Sequence, residues 1–135
     1  MHKKLPHIFW VSALVSYLLL ITCLSLAPSK TFEGIPTFDW EDVLAHFCMY
    51  LGLVFLMINT FTATPLTQRR AIYLALIAIV YGIIIEILQP IVQPHDRQFS
   101  IGDILSNSAG ALCMCTAMFH WKSRFVQSKK YTIPD

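Results

Sequence analysis

Charge is the property this chain has least of. Only 13% of its 135 residues are Asp, Glu, Lys or Arg, against 56% hydrophobic residues and a mean hydropathy of +0.58. A soluble domain carries roughly 25% charged residues, so a water-soluble globular class is excluded. Cysteines at metal or redox spacing are missing as well. Cys23, Cys48, Cys113 and Cys115 all fall inside apolar runs, where neither a disulfide framework nor a C-x-x-C zinc pattern is available. They read as small apolar packing residues. There is no internal repeat, low-complexity tract or linker, and no nucleic-acid partner or cofactor is expected.

What the chain has in quantity is apolar length. A bilayer core needs about 20 apolar residues per helical span, and four stretches qualify: Ile8 to Ala27, Val43 to Ala63, Ala71 to Gln89 and Ile101 to Trp121. The fold class expected is therefore all-α, an integral membrane four-helix bundle formed by a single domain of residues 1–135. Asp103, Ser106, Asn107 and Ser108 dilute the first two turns of the fourth span. The first run follows Lys3 and Lys4 and ends in Ser25-Leu26-Ala27, which imitates a secretory signal. Its length and the Pro28 that would follow the cut favour a retained span.

Basic residues accumulate on the cytoplasmic side of short loops. Alternating the spans puts Lys3, Lys4, Arg69, Arg70, Lys122, Arg124, Lys129 and Lys130 on one side and only Lys30 and Arg97 on the other. Both termini are thus expected to be cytoplasmic. The net charge of +2 hides a basic inner rim, suited to anionic lipid headgroups, and an acidic outer face. The turn Thr64 to Arg70, with Pro65 in it, is short enough to make spans two and three an antiparallel hairpin. The first outer loop, PSKTFEGIPTFDWED, holds two prolines and a glycine and is expected to be irregular.

The polar groups concentrate in EILQPIVQPHDRQFSIGDILSN, residues 86 to 107, the outer connection between spans three and four. Glu86 and Gln89 share a helix face that Gly82 continues; Asp103, Asn107 and Gly110 follow i, i+4, i+7, and Asp42, His46 and Tyr50 follow i, i+4, i+8. Three helices can each offer one polar stripe. At 1.5 Å per residue, His46, Glu86 and Asn107 lie about one or two turns below the outer boundary. An ionisable side chain at mid-membrane costs about 2.5 to 3.5 kcal/mol, so His46, Glu86 and Asp103 should face one another rather than lipid.

Part of this polarity has a local explanation. Ser100 before Ile-Gly-Asp103 is a capping-box pattern, and Asp39 with Asp42 repeats it. Both carboxylates also meet the positive end of a helix dipole. Capping does not account for His46, Glu86 or Asn107, which lie beyond the first turn or at the opposite helix end. They are either interhelical glue, worth about 0.6 kcal/mol per hydrogen bond, or a site. Gly102, Ser106 and Gly110 form a small-xxx-small ridge that permits close helix approach; it is assigned to packing, with a homo-oligomer contact as the alternative. His46, Glu86 and Asp103 together offer mixed N/O metal ligands, but no His-x-x-x-His or cysteine pair anchors them, and no metal is assigned.

The segments DVLAHFCMYLGL and EILQPIVQPHDRQFSIGDILSNSAGA resemble the two signature regions of the VanZ-like family of small bacterial membrane proteins. The matching positions are Asp42, His46, Phe47, Tyr50, Glu86, Gln89, Arg97, Ser100, Asp103, Asn107 and Gly110, so the likeness covers spans two to four. Val43 stands where the family has a lysine, and Met114 where it has a small residue. The first departure leaves Arg97 as the only basic residue near the cluster. The resemblance implies a multi-pass protein of the bacterial plasma membrane and an association with teicoplanin resistance; it supplies no reaction.

Two functions follow. In the first, the cluster binds or processes an envelope lipid or lipid-linked cell-wall intermediate at the outer leaflet, with His46, Glu86 and Asp103 as catalytic groups. Asp42, Tyr50, Gln89, Arg97, Ser100 and Asn107 would bind, Arg97 gripping phosphate with its planar fork. In the second, a non-enzymatic protein uses the cluster only to specify helix packing or a partner contact, and Arg97 neutralises Glu86 or Asp103. Membrane lipids are partners in either. A transporter has too few spans for alternating access unless it oligomerises.

Overall fold

The structure, a computed structural model, describes residues 5–28, 40–61, 66–95 and 97–130, with side chains to residue 122. Four helices account for nearly all of it: α1 (His7–Leu26), α2 (Glu41–Phe61), α3 (Gln68–Val92) and α4 (Ile101–Lys130). Among the described residues there is no strand. The first three helices are long and apolar enough to cross a membrane. The polar residues in its first turns leave α4 below that threshold. Much of the first outer loop, the Asp39 cap and Pro65 lie outside the described residues.

The ends of the helices show where apolar length and helical length diverge. Thr67 caps α3, its hydroxyl accepting the Arg70 amide at 3.3 Å, so Arg69 and Arg70 sit in the first helical turn rather than in the expected inter-span turn. At its other end α3 runs through Pro90 to Val92, three residues past the expected span boundary at Gln89. Proline removes one donor, that of the bond to the Glu86 carbonyl, but the Gln93 amide closes on the Gln89 carbonyl at 2.8 Å and completes the turn. Helix α4 continues nine residues past Trp121, because KSRFVQSKK contains neither Pro nor Gly to break it. Its 30 residues span about 45 Å, beyond a hydrocarbon core of about 30 Å.

Cross-helix contacts fix the directions. Thr60 donates to the Trp10 carbonyl and Tyr17 to that of Met49, so α1 and α2 are antiparallel. Tyr81 donates to the Leu18 carbonyl and Gln93 to that of Leu26, so α1 and α3 run the same way. Ser106 donates to the Val43 carbonyl and Gly110 abuts Phe47, so α4 runs with α2. The start of α1 and the end of α4 therefore share one end of the bundle. The end of α3 and the starts of α2 and α4 share the other, the Ser100 end.

Helix α4 packs chiefly on α2 and α3, while α1 leans on α2 and α3 alone. Close α2–α4 packing requires Gly110, where any Cβ would overlap the Phe47 carbonyl oxygen. The rest of the expected ridge divides: Ser106 is buried against α2, whereas Gly102 faces open space. The core of Tyr50, Leu53, Val54, Ile58, Ala75, Ala78 and Ala111 is narrow, and large apolar side chains such as Ile77, Val80, Ile84 and Ile91 cover the outside. That surface suits acyl chains and would aggregate in water. Of the cysteines, Cys115 alone is buried; the other three lie on the exposed faces, so the packing role expected of all four holds for one.

Candidate functional site

Helical repeat brings the polar stripes to the same end of the bundle. His46 lies one turn into α2, Glu86 and Gln89 lie in the last two turns of α3, and Asp103 and Asn107 lie in the first two turns of α4. Gly82 lets α3 come close: a Cβ there would stand 3.1 Å from Asn107 Nδ2 and 3.0 Å from the Tyr50 ring. These approaches bring His46 Nδ1 to 3.0 Å from Asn107 Oδ1 and to 4.0 Å from Glu86 Oε1. On the other side of the ring, Nε2 faces Asp103 Oδ2 at 3.8 Å. One ligating atom each from His46, Glu86 and Asp103 fits within a mutual distance of 4.8 Å.

Burial is nearly complete except at one corner. Glu86 is 0% exposed, Asn107 1%, Gln89 2% and His46 6%, while the Asp103 side chain keeps 19% of its surface at the Ser100 end. Buried polar atoms in folded proteins are almost always hydrogen-bonded. Here Tyr50 Oη, both Glu86 carboxylate oxygens, Gln89 Nε2, Arg97 Nε and Asn107 Nδ2 have no hydrogen-bond partner among the described residues. The unsatisfied set holds both kinds of group: four side chains offer donors where the carboxylate offers acceptors. A polar guest or ordered water would complete them.

The His46–Asn107 bond also fixes the imidazole. With Asn107 Oδ1 as acceptor, Nδ1 carries the hydrogen, and a neutral ring presents the Nε2 lone pair to Asp103. The Ser100 backbone amide is directed at the Glu86 carboxylate, short of full hydrogen-bond geometry, and Arg97 acts on it through its charge. Among the described residues Arg97 makes no salt bridge; its backbone amide donates to Gln93 and its guanidinium remains available.

Of the residues singled out from sequence, His46, Glu86, Asp103 and Asn107 converge, and Tyr50 and Gln89 are buried with unsatisfied groups on the same stripes. Ser100 caps α4, its hydroxyl accepting the Asp103 amide at 3.2 Å. Asp42 does not join them: it is exposed in the first turn of α2 and makes no hydrogen bond or ion pair among the described residues. One turn too close to the helix start, it serves the helix dipole.

Sequence reasoning passed over the neighbouring hydroxyls. Thr22 and Tyr81 share a hydrogen bond at 2.8 Å, and the Tyr81 ring lies 6.2 Å from that of Tyr50. Tyr81 also lines an apolar cavity of about 630 Å³ between α1, α2 and α3, walled by Leu14, Leu18, Met57 and Ile77. The signal available was the Tyr81–Gly82 pair inside an otherwise apolar span. Comparison with protein-family models, curated proteins and solved structures finds no match to this chain.

Proposed function

We propose that the chain is a VanZ-like multi-pass protein of the bacterial plasma membrane that binds, or acts on, an envelope lipid or lipid-linked cell-wall intermediate at the outer leaflet. Both termini are then cytoplasmic, α4 is the fourth span, and the Ser100 end faces outward, as the distribution of Lys and Arg requires. The observation that carries the reading is the set of unsatisfied polar atoms around His46, Glu86 and Asp103. A cluster meant only to hold helices together gains stability from completed hydrogen bonds. This one leaves them unmade in the interior, with Asp103 as the one member of the His46–Glu86–Asp103 trio that meets solvent.

The chemistry fits an amphiphilic guest. Arg97, unpaired with either acid, offers a planar fork for a phosphate, and the His46 lone pair stands ready as a base beside two carboxylates. The apolar cavity, lined by Tyr81, whose ring lies beside that of Tyr50, is wide enough for an acyl or isoprenoid tail. The packing reading draws on the His46–Asn107 bond, and substitution separates the two. In cells where loss of the protein changes sensitivity to a glycopeptide antibiotic, His46→Gln and Asp103→Asn should reproduce that loss at wild-type abundance. Retained resistance at equal abundance contradicts the site; loss that follows reduced abundance supports packing.

A further inference from the structure

We propose that His46, Asp103 and Glu86 hold a divalent metal ion of the zinc or manganese class. Residue spacing offers no anchor for such a site, because the three ligands come from α2, α4 and α3; the packed bundle supplies the convergence.

Four observations carry it. The Nδ1–H of His46 is held by Asn107 Oδ1 at 3.0 Å, the outer bond that metal-binding histidines make with the nitrogen that does not ligate. The remaining lone pair, on Nε2, faces Asp103 Oδ2 at 3.8 Å. Two acceptors facing each other across that gap are joined either by a proton on Nε2 or by a cation. Glu86 is wholly buried with both oxygens unpartnered, and Arg97 forms no salt bridge with it or with Asp103 among the described residues. Two carboxylates in a low-dielectric interior are balanced in charge by one divalent ion.

The dimensions are close to those required. Ligands bound at about 2.1 Å cannot lie more than about 4.2 Å apart on one ion. The Nε2–Oδ2 pair already satisfies this. The full set lies within 4.8 Å, and Glu86 Oε1 approaches His46 on its Nδ1 side at 4.0 Å, so the carboxylate must swing toward Nε2 to join the ion. The Glu86 carboxylate, with no hydrogen bond holding it, is free to do so. One nitrogen with two carboxylate oxygens and no thiolate selects zinc or manganese over softer ions. Three protein ligands leave a position open toward the exposed corner at Asp103, as in sites where a metal binds water or a substrate oxygen. The inference rests on the cluster itself and not on the identity of any lipid.

The test is made on the full chain, purified in detergent with a non-histidine tag, loaded with ZnCl2 or MnCl2 and desalted. Bound metal is measured by plasma mass spectrometry and thermal unfolding is followed with and without the ion. The wild type should retain one ion per chain and unfold at a higher temperature when loaded. His46→Gln and Asp103→Asn should elute as folded protein with background metal. Asn107→Ala should weaken affinity about 10- to 100-fold, and Asn107→Asp, which keeps an acceptor for Nδ1–H, should retain the ion. Background metal in the wild type with both ions, or His46→Gln binding as much as the wild type, overturns the metal site. Either result leaves the lipid reading intact, since that reading fails only on the cellular phenotype.

Discussion

Tyr50 shows most simply how a single side chain separates a site from a core. Its ring is 1% exposed and packs near Tyr81, yet its hydroxyl has no hydrogen-bond partner among the described residues. Removing a buried hydroxyl that is bonded costs about 1 kcal/mol. Removing one that is not relieves a desolvation penalty. Tyr50→Phe should therefore unfold at or above the wild-type midpoint, measured in detergent by intrinsic fluorescence, while weakening the envelope phenotype. A clearly lower midpoint would mean that the hydroxyl has a partner in the folded state. The i, i+4 stripe made Tyr50 and His46 visible in the sequence, because helical periodicity fixes which side chains share a face. It misplaced Asp42, because a stripe does not say at which turn the neighbouring helix ends; Asp42 lies beyond the end of the packed zone and is exposed.

The approach of α4 to α2 depends on one missing side chain. At Gly110 a Cβ would overlap a backbone carbonyl, that of Phe47, which cannot rotate away. Overpacking of this kind costs about 1–3 kcal/mol and would carry Asn107, one turn away, out of reach of His46. Gly110→Ala should thus lower the unfolding midpoint and impair the site together. Gly102→Ala meets only open space beyond a contact with Ser100 Oγ at 3.5 Å, and should be neutral or slightly stabilising, since Ala exceeds Gly in helix propensity by up to about 1 kcal/mol. Equal midpoints for the two variants would contradict the packing described. The small-residue ridge was legible as a pattern, but which of its members meets a neighbour was not: that depends on where α2 crosses, which composition does not encode. Helix ends were the least legible feature. Hydropathy marks where a lipid-suited segment stops, whereas Thr67, Pro90 and the polar continuation of α4 show that helical hydrogen bonding follows capping and the absence of breakers.

The bundle as a whole is apolar outside and polar at one end of its interior, with the first turn of α1 and the last turn of α4 both at the opposite end. The proposed orientation turns this into an accessibility pattern. Gln98, exposed in the α3–α4 connection, belongs outside; Lys122, after the fourth span, belongs inside. In intact cells a membrane-impermeant maleimide should label Gln98→Cys and spare Lys122→Cys until the membrane is opened. The reverse labelling would invert the topology and place the polar cluster at the cytosolic end. The native Cys23, Cys48 and Cys113 lie on faces suited to lipid and should be spared in both conditions, because a thiol needs water to ionise and react.

Glu86→Gln bears most directly on whether the buried cluster is a site. The substitution preserves shape, removes a wholly buried carboxylate that has no hydrogen-bond partner, and can be read on one preparation for unfolding midpoint and in cells for glycopeptide sensitivity at matched abundance. In metal-free protein the account predicts a midpoint equal to or above that of the wild type, with the cellular function lost. A midpoint several degrees lower, with function declining only as folded protein declines, would show that Glu86 holds the helices together and would contradict it.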